Sequence, residues 1–490
     1  MELLAPAGSA DKLYYCYAYG ADAAYIGLKN FSLRAKADNF YEDEYRRVAE
    51  LRKKFPSKKL HCALNISFHN DEIDSFISNI PYFKLYPIDA FIVQDLGIVP
   101  ILQKEFPDAQ LHLSTQASCM NREAVRMYRS LGFSRVVMGR EASLKEIAEI
   151  KDAVPEMEIE CFVHGAMCIA YSGRCLMSAY INGRSGQSGF CSHTCRWDYD
   201  VLVGGEQRDT GRMLAQSGDL VLRERKRPDE YFPVYEGENF TAVLSSKDLC
   251  MIDHLADLKK AGVDSLKIEG RMKSIYYVAL ITRAYRKALD ALDGKITDGQ
   301  ARPFIDELYK VSHRPFTTAF YYDRAKADET ASGASESPWD LAAETGDILS
   351  EQQKKEILGR GEKLSMRRRA EYEGMVPEAR AAYDERVRDN PGRYLTPCTE
   401  KEGWEMYALT ALNMMDKDTE LEIVTPDTVS QRLDADDYEL INPATGEIYS
   451  WCCNGHPCVI YTCMNLSGGA LLRSRNKNWK DDGAAPAPGA

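Results

Sequence analysis

The chain has 490 residues, enough for two or three domains at roughly 150 residues each, and its 44% apolar and 28% charged content excludes a disordered or fibrous class. A formal charge of -12, from 62 Lys and Arg against 74 Asp and Glu, excludes a grip on nucleic acid through the field of the whole molecule and leaves local basic patches as the route. No apolar run reaches the ~18 residues of a membrane span, and residues 1–6 lack the regions of a signal peptide, so a cytoplasmic protein with no membrane partner is expected.

In chain order, the first 290 residues repeat a short apolar run, a turn and an amphipathic stretch. The predicted strands are 2–8, 24–28, 60–65, 90–95, 111–115, 135–141, 158–165 and 265–271. Between them lie helix signals: Ser9 opens a segment closed by Gly20, Asn121 one closed by Gly132, and Ser143 with Glu146 forms a capping box. Strand and helix in alternation imply parallel pairing, and eight units in this length predict an α/β fold of the (β/α)8, TIM-like barrel type. A doubly wound open sheet is the alternative, disfavoured because no Gly-x-Gly-x-x-Gly follows the first strand. Barrel chemistry sits where strands end, and here those ends are polar: Asn65, Gln94 with Asp95, Thr115 with Gln116, Arg140 with Glu141, His164, and Glu269 with Arg271.

Fourteen cysteines in a reducing compartment point to metal or redox chemistry where they are dense. Cys16, Cys62 and Cys119 stand alone and read as small buried residues, whereas Cys161, Cys168, Cys175, Cys191 and Cys195 fall within 35 residues. Their spacing suits neither the paired knuckles of a zinc ribbon nor a bacterial ferredoxin run, and the Gly-rich chain between them suits a large cluster; a structural zinc is the alternative.

The run Phe162-Val-His-Gly-Ala-Met-Cys-Ile-Ala-Tyr-Ser-Gly-Arg-Cys175, then Cys191-x3-Cys195-Arg196-Trp197, Ser246-Lys-Asp-Leu-Cys250, Ser265-Leu-Lys-Ile-Glu-Gly-Arg-Met-Lys-Ser274 and Ser312-His-Arg-Pro-Phe-Thr-Thr318, resembles the collagenase-like peptidase family of unknown catalytic type. The resemblance spans residues 1 to about 325 and implies oxygen-independent hydroxylation. Its members include prephenate-dependent tRNA uridine hydroxylases, a ribosomal RNA cytidine hydroxylase and a pair acting on ubiquinone precursors. It implies a [4Fe-4S] cluster on Cys168, Cys175, Cys191 and Cys250, with Cys195 in reserve because residues 201–240 look like an insertion between the third and fourth ligands. Cys250 is expected to open a helix over 249–261. The implied oxygen donor, prephenate, is a dicarboxylate, so guanidinium groups at Arg140, Arg174, Arg196 and Arg271 are the candidate substrate-binding residues. His164 is the candidate acid or base.

A peptidase finds no support in the motifs, which lack a Gly-x-Ser-x-Gly elbow and a His-Glu-x-x-His pair. The expected function is hydroxylation of RNA, most simply tRNA uridine to 5-hydroxyuridine. The same chemistry on ribosomal RNA or a quinone precursor, a peptidase, and a non-catalytic RNA-binding scaffold stand as alternatives. Basic stretches at 222–227, 366–369 and 473–479 are candidate phosphate contacts beside the more ordinary reading of solvated surface.

Beyond the 1–325 barrel domain, residues 326–395 read as a charged helical connector, with a loop at 330–338. Residues 396–480 alternate as short strands over 420–426, 438–443, 446–451, 458–463 and 471–475, predicting a small C-terminal β-barrel domain. Cys452, Cys453, His456, Cys458 and Cys463 within it read as spare thiols before a second metal site, and 481–490 as a disordered tail.

Overall fold

The computed structural model describes residues 1–28, 31–32, 40, 43–168, 170–182, 184–187, 190–196, 221–223, 231–233, 235–236, 241–242, 246–322, 337–389, 397–476 and 479. The chain divides into two compact units, Met1–Glu336 and Ser337–Ala490.

The first unit is built on seven parallel strands, β1 (Glu2–Pro6), β2 (Ala23–Ile26), β3 (Lys59–Leu64), β4 (Ala90–Val93), β5 (Gln110–Leu113), β6 (Arg135–Val137) and β7 (Glu158–Ala166), and an eighth, Ser265–Ile268. Each pairs with the next, and the eighth pairs in parallel with both β7 and β1, so the sheet closes into a barrel. These are the eight apolar runs of the sequence. Strands of a parallel barrel are covered on both faces and need near-continuous hydrophobic character to be so. The helices between them begin where the capping signals lie. Ser9 accepts from the Lys12 amide, Asn121 from Ala124, and Ser143 and Glu146 form their reciprocal box.

Four strands send charged side chains into the barrel. Glu160 on β7 accepts from Lys267 Nζ at 2.7 Å and from Arg135 Nη1 at 2.9 Å, and Arg135 also bridges Glu2 and Glu158. Burial alone would raise the Glu160 carboxyl, but the Lys267 and Arg135 charges overcome it and hold the group below its ordinary value. Beside them the His61 and His112 rings meet edge to face at 4.9 Å, and burial pushes His61 down to about 4, so both rings are neutral at physiological pH.

Two family motifs meet beyond the barrel. Strand Asp248–Cys250 runs antiparallel to β7 and parallel to Phe316–Thr317, and Arg314 clasps Asp248 through its Nη2 at 2.6 Å and its backbone amide at 3.1 Å. The shared buried ion pair accounts for the acid of one motif and the arginine of the other.

The second unit carries a seven-stranded antiparallel sheet in the order Gln431–Leu433, Leu421–Val424, Leu471–Arg475, Trp339–Ile348, Glu405–Ala411, Cys458–Thr462, Tyr438–Ile441. It is a half-barrel: among the described residues its two end strands do not pair with each other. The expected strand at 446–451 is reduced to Trp451–Cys452, paired with Met415–Asp416, and single bridges at Glu447 and Ile448. The segment 326–395 is not a plain connector. Trp339–Ile348 lies in the middle of the sheet, between Glu405–Ala411 and Leu471–Arg475, and helix Glu351–Glu373 buries Ile357 in a cluster with Cys398, Met406 and Tyr461. A second helix, Pro377–Asp389, follows.

The expected insertion 201–240 lies outside the described residues apart from short strands, of which Val221–Arg223 pairs with Tyr231–Pro233. The basic run past Arg223, the loop 330–336 and the tail 481–490 also lie outside them. No helix among the described residues is long and apolar enough to cross a membrane.

Candidate functional site

The strand C-termini of the barrel surround a cavity of about 380 Å³. Of the polar ends read from the sequence, Asn65, Thr115 with Gln116, Arg140 with Glu141, and Glu269 with Arg271 line it. Gln94, Asp95 and His164 do not: Gln94 bonds Ser67, and Asp95 caps the turn Leu96–Ile98.

The cysteines arrive on the chain that leaves β7. Cys168 follows the strand directly, the chain turns at Ser172 and Gly173, and Cys175 returns to the same wall. That turn is tied at three points. The Ser172 amide donates to Glu141 Oε1 at 2.8 Å, the Ser118 hydroxyl donates to the Ser172 carbonyl, and Gln187 Nε2 donates to the Gly173 carbonyl at 2.7 Å. Gly173 has φ +75°, and a Cβ there would stand 1.9 Å from the Gln116 carbonyl oxygen, so a side chain has no room. Ser178, in the short helix Met177–Asn182, accepts from the Ser192 amide at 3.0 Å and thereby anchors the segment carrying Cys191 and Cys195.

Cys168, Cys175, Cys191 and Cys195 all line this one cavity, and each is at least partly exposed. An all-thiol donor set of four fits an iron-sulfur cluster or a zinc ion. The thiols share the wall without being drawn together, for among the described residues no group of three or more potential ligands is close enough to hold a metal ion.

Cys250 stands elsewhere. It lies in a strand, in register with His164, and does not open a helix; the helix that follows begins at Leu255. Its side chain is buried with Sγ 4.0 Å from the Tyr285 hydroxyl, burial pushes the thiol up to about 12, and it is not part of the cavity lining. Its sulfur neighbours Tyr285, whereas Cys195, the reserve, is on the cavity wall. His164 likewise lies outside the cavity lining. It is buried among Tyr277, Tyr285 and Phe316, and burial drives it down to about 3, so it is neutral at physiological pH.

Two of the four candidate arginines reach the cavity. Arg271 is 2% exposed and donates to Ser32 Oγ at 2.5 Å; its guanidinium occupies the space over Gly27, where a Cβ would come within 2.4 Å of Nη1. Arg140 lies over the Phe162 ring at 4.1 Å, with Nη1 4.0 Å from the Cys168 sulfur. Arg174 is exposed, 3.4 Å from Ser118 Oγ, and outside the lining, and the Arg196 side chain lies outside the described residues. Sequence reasoning missed Lys267, Lys273 and His193, which line the cavity. For Lys267 a signal existed: a lysine inside the four-residue run Ser265–Ile268, where a covered parallel strand admits no unpaired charge.

The other sites are less open than their sequences imply. Arg473 is fully buried, paired with Glu422 and stacked on Trp339 at 4.6 Å, so it is no phosphate contact. Arg367, Arg368 and Arg369 pair with Glu371, Glu447 and Glu373. In the second unit Cys452 and Cys458 are buried and Cys453 Sγ lies 3.3 Å from His456 Nδ1.

Residues 8–331 match Peptidase family U32. Over 340 residues the chain is 39% identical to the tRNA hydroxylation protein P of Escherichia coli (strain K12), covering 65% of this chain and 74% of that protein. It is 38% identical over 321 residues to the tRNA hydroxylation protein P1 of Bacillus subtilis (strain 168), covering 65% and 70%. To a 23S rRNA 5-hydroxycytidine synthase of Escherichia coli (strain K12) it is 33% identical over 359 residues, covering 71% and 49%. With the motifs of the barrel, its closed parallel sheet and a match over most of its length, this chain belongs to peptidase family U32.

Proposed function

We propose that the chain is an RNA hydroxylation enzyme that works without molecular oxygen, converting uridine in tRNA to 5-hydroxyuridine with prephenate as oxygen donor and a [4Fe-4S] cluster as cofactor. The observation that carries this reading is one cavity, at the chemistry-bearing end of a parallel barrel, whose wall combines four thiols with Arg140, Lys267 and Arg271. Relatives named for tRNA and ribosomal RNA hydroxylation favour an RNA acceptor over a quinone or a peptide.

In this reading Cys168, Cys175 and Cys191 hold the cluster with Cys195 as the fourth ligand, because Cys195 shares their cavity and Cys250 does not. A cluster bound there supplies one-electron redox chemistry to whatever occupies the cavity. The chain's own groups do the positioning. Arg271, fixed by Ser32 and the space over Gly27, and Arg140, fixed over Phe162, present guanidinium groups to the two carboxylates of the donor. Lys267, held by Glu160, keeps a third cation at the cavity floor. Burial of Arg271 and Lys267 strengthens these attractions by excluding water.

The test is deletion of the gene followed by mass spectrometry of nucleosides from total tRNA. Loss of 5-hydroxyuridine derivatives, restored by the wild-type gene, is the expected result. Unchanged tRNA with an altered ribosomal nucleoside or quinone would reassign the acceptor.

A further inference from the structure

The segment that brings the cysteines to the cavity has a second character that cluster binding does not explain. Residues 166–196 contain no Asp or Glu, although the chain carries 74 acidic residues, and they include Arg174, Arg184 and Arg196. The same segment displays large apolar side chains to solvent: Tyr171 is 58% exposed, Leu176 70% and Tyr180 91%, with Phe190 also exposed. Each lies in or within two residues along the chain of the cavity lining. Tyr171 lines the cavity, Leu176 follows the lining Cys175, Tyr180 lies two residues beyond the lining Ser178, and Phe190 precedes the lining Cys191. Arg174 and Arg184 are exposed on the same segment.

Exposed rings cost hydration unless something covers them, and here four large exposed apolar side chains fall within residues 171–190 of one segment. Rings interleaved with arginines, without one carboxylate in the segment, match a polyanion with flat apolar faces. That is the chemistry of unpaired nucleic-acid bases on their phosphate backbone. A paired duplex hides its base faces and would meet only the arginines.

We propose that Tyr171, Tyr180 and Phe190 form a stacking rim, flanked by Arg174 and Arg184, that captures an unpaired RNA loop and delivers one extruded base to the cavity. The inference rests on the RNA reading above and adds to it the part of the molecule that recognises the acceptor and the conformation in which the acceptor binds. Taking a base out of its stack costs free energy, and rings that stack its neighbours offset that cost. Of the basic stretches first considered for this role, Arg367, Arg368 and Arg369 are paired with acids, Arg473 is buried and paired, and residues 224–227 lie outside the described residues, so the rim is the better supported surface among the described residues.

The experiment uses the full chain and two fluorescein-labelled probes: a stem-loop RNA with a seven-nucleotide uridine-containing loop, and a fully paired RNA duplex of equal length. Binding is read by anisotropy for wild type, Tyr180→Ala, Phe190→Ala, Tyr180→Trp and Arg184→Glu. Each alanine variant should weaken the stem-loop roughly tenfold and leave the duplex unchanged, while Tyr180→Trp restores the stem-loop. Arg184→Glu should weaken both probes, with a smaller dependence on salt. Unchanged stem-loop affinity in both alanine variants overturns the proposal, as does an equal loss for both probes. If the alanine variants abolish self-association in sedimentation while binding RNA normally, the rim is an interface between copies and the proposal also falls. Selective stem-loop loss in a protein whose wild type forms no hydroxylated nucleoside keeps the rim and removes the hydroxylation reading. Hydroxylation by a wild type whose rim variants bind normally does the reverse.

Discussion

Replacing Glu160 with glutamine tests how the cavity floor is built. Glu160 is fully buried and takes Lys267 at 2.7 Å and Arg135 at 2.9 Å, so the variant leaves two buried cations facing a neutral amide. Arg135 retains Glu2 and Glu158, but Lys267 is left chiefly with the Tyr25 and Phe162 rings at 4.7 and 5.5 Å. Removing one partner of a buried pair costs about 3–5 kcal/mol, and because glutamine still offers a carbonyl oxygen, the low end, about 3 kcal/mol, is expected. Adding Lys267→Met removes the stranded charge and should return at least half of that loss, since neighbouring groups couple strongly. Urea unfolding reads the loss, and hydrogen exchange of peptides covering 158–166 assigns it to the barrel. A loss below about 1 kcal/mol, or a double variant no more stable than the single one, would refute the pairing as the source of order at the floor.

Three further outcomes are expected. Gly173→Ala should displace the Cys168–Cys175 turn, because its Cβ would lie 1.9 Å from the Gln116 carbonyl at φ +75°; faster hydrogen exchange over 168–178 with unchanged exchange in β3 to β5 is the signature. Glu2, held down to about 2 from an ordinary 4.5 because the Arg135 hydrogen bond and charge outweigh burial, contributes stability above the ordinary value. That contribution, about 3 kcal/mol, is lost as the pH falls from about 5 to 2, so acid titration of Glu2→Gln should show a flatter loss than wild type. Anaerobically purified protein should carry about four iron and four sulfide per chain; serine at Cys168, Cys175, Cys191 or Cys195 should strip iron, whereas Cys250→Ser should retain it.

The barrel was legible because each of its features is local. Covered parallel strands read as apolar runs, and Ser9, Asn121 and Ser143 mark helix starts by bonds that span three residues. What stayed hidden depended on partners distant in sequence. Trp339–Ile348 has a mixed composition and becomes a strand because Glu405–Ala411 and Leu471–Arg475 flank it. Arg473 looks like a surface charge until the sheet register places it opposite Glu422. The setting of Cys250 beside Tyr285 comes from antiparallel pairing with β7, where it stands in register with His164, itself packed among Tyr277, Tyr285 and Phe316. The rim was invisible for another reason: the exposure of Tyr180 and Phe190 depends on how the cysteine-bearing segment turns over the cavity.

The central claim is that the thiol-lined cavity hydroxylates RNA. Its most direct test is to incubate anaerobically purified protein with tRNA from the deletion strain, with and without prephenate, and to quantify 5-hydroxyuridine by nucleoside mass spectrometry. The account predicts product that requires prephenate and is abolished by Cys191→Ser. Iron-loaded protein that leaves the tRNA unmodified in the presence of prephenate, or product that forms equally with Cys191→Ser, would contradict it.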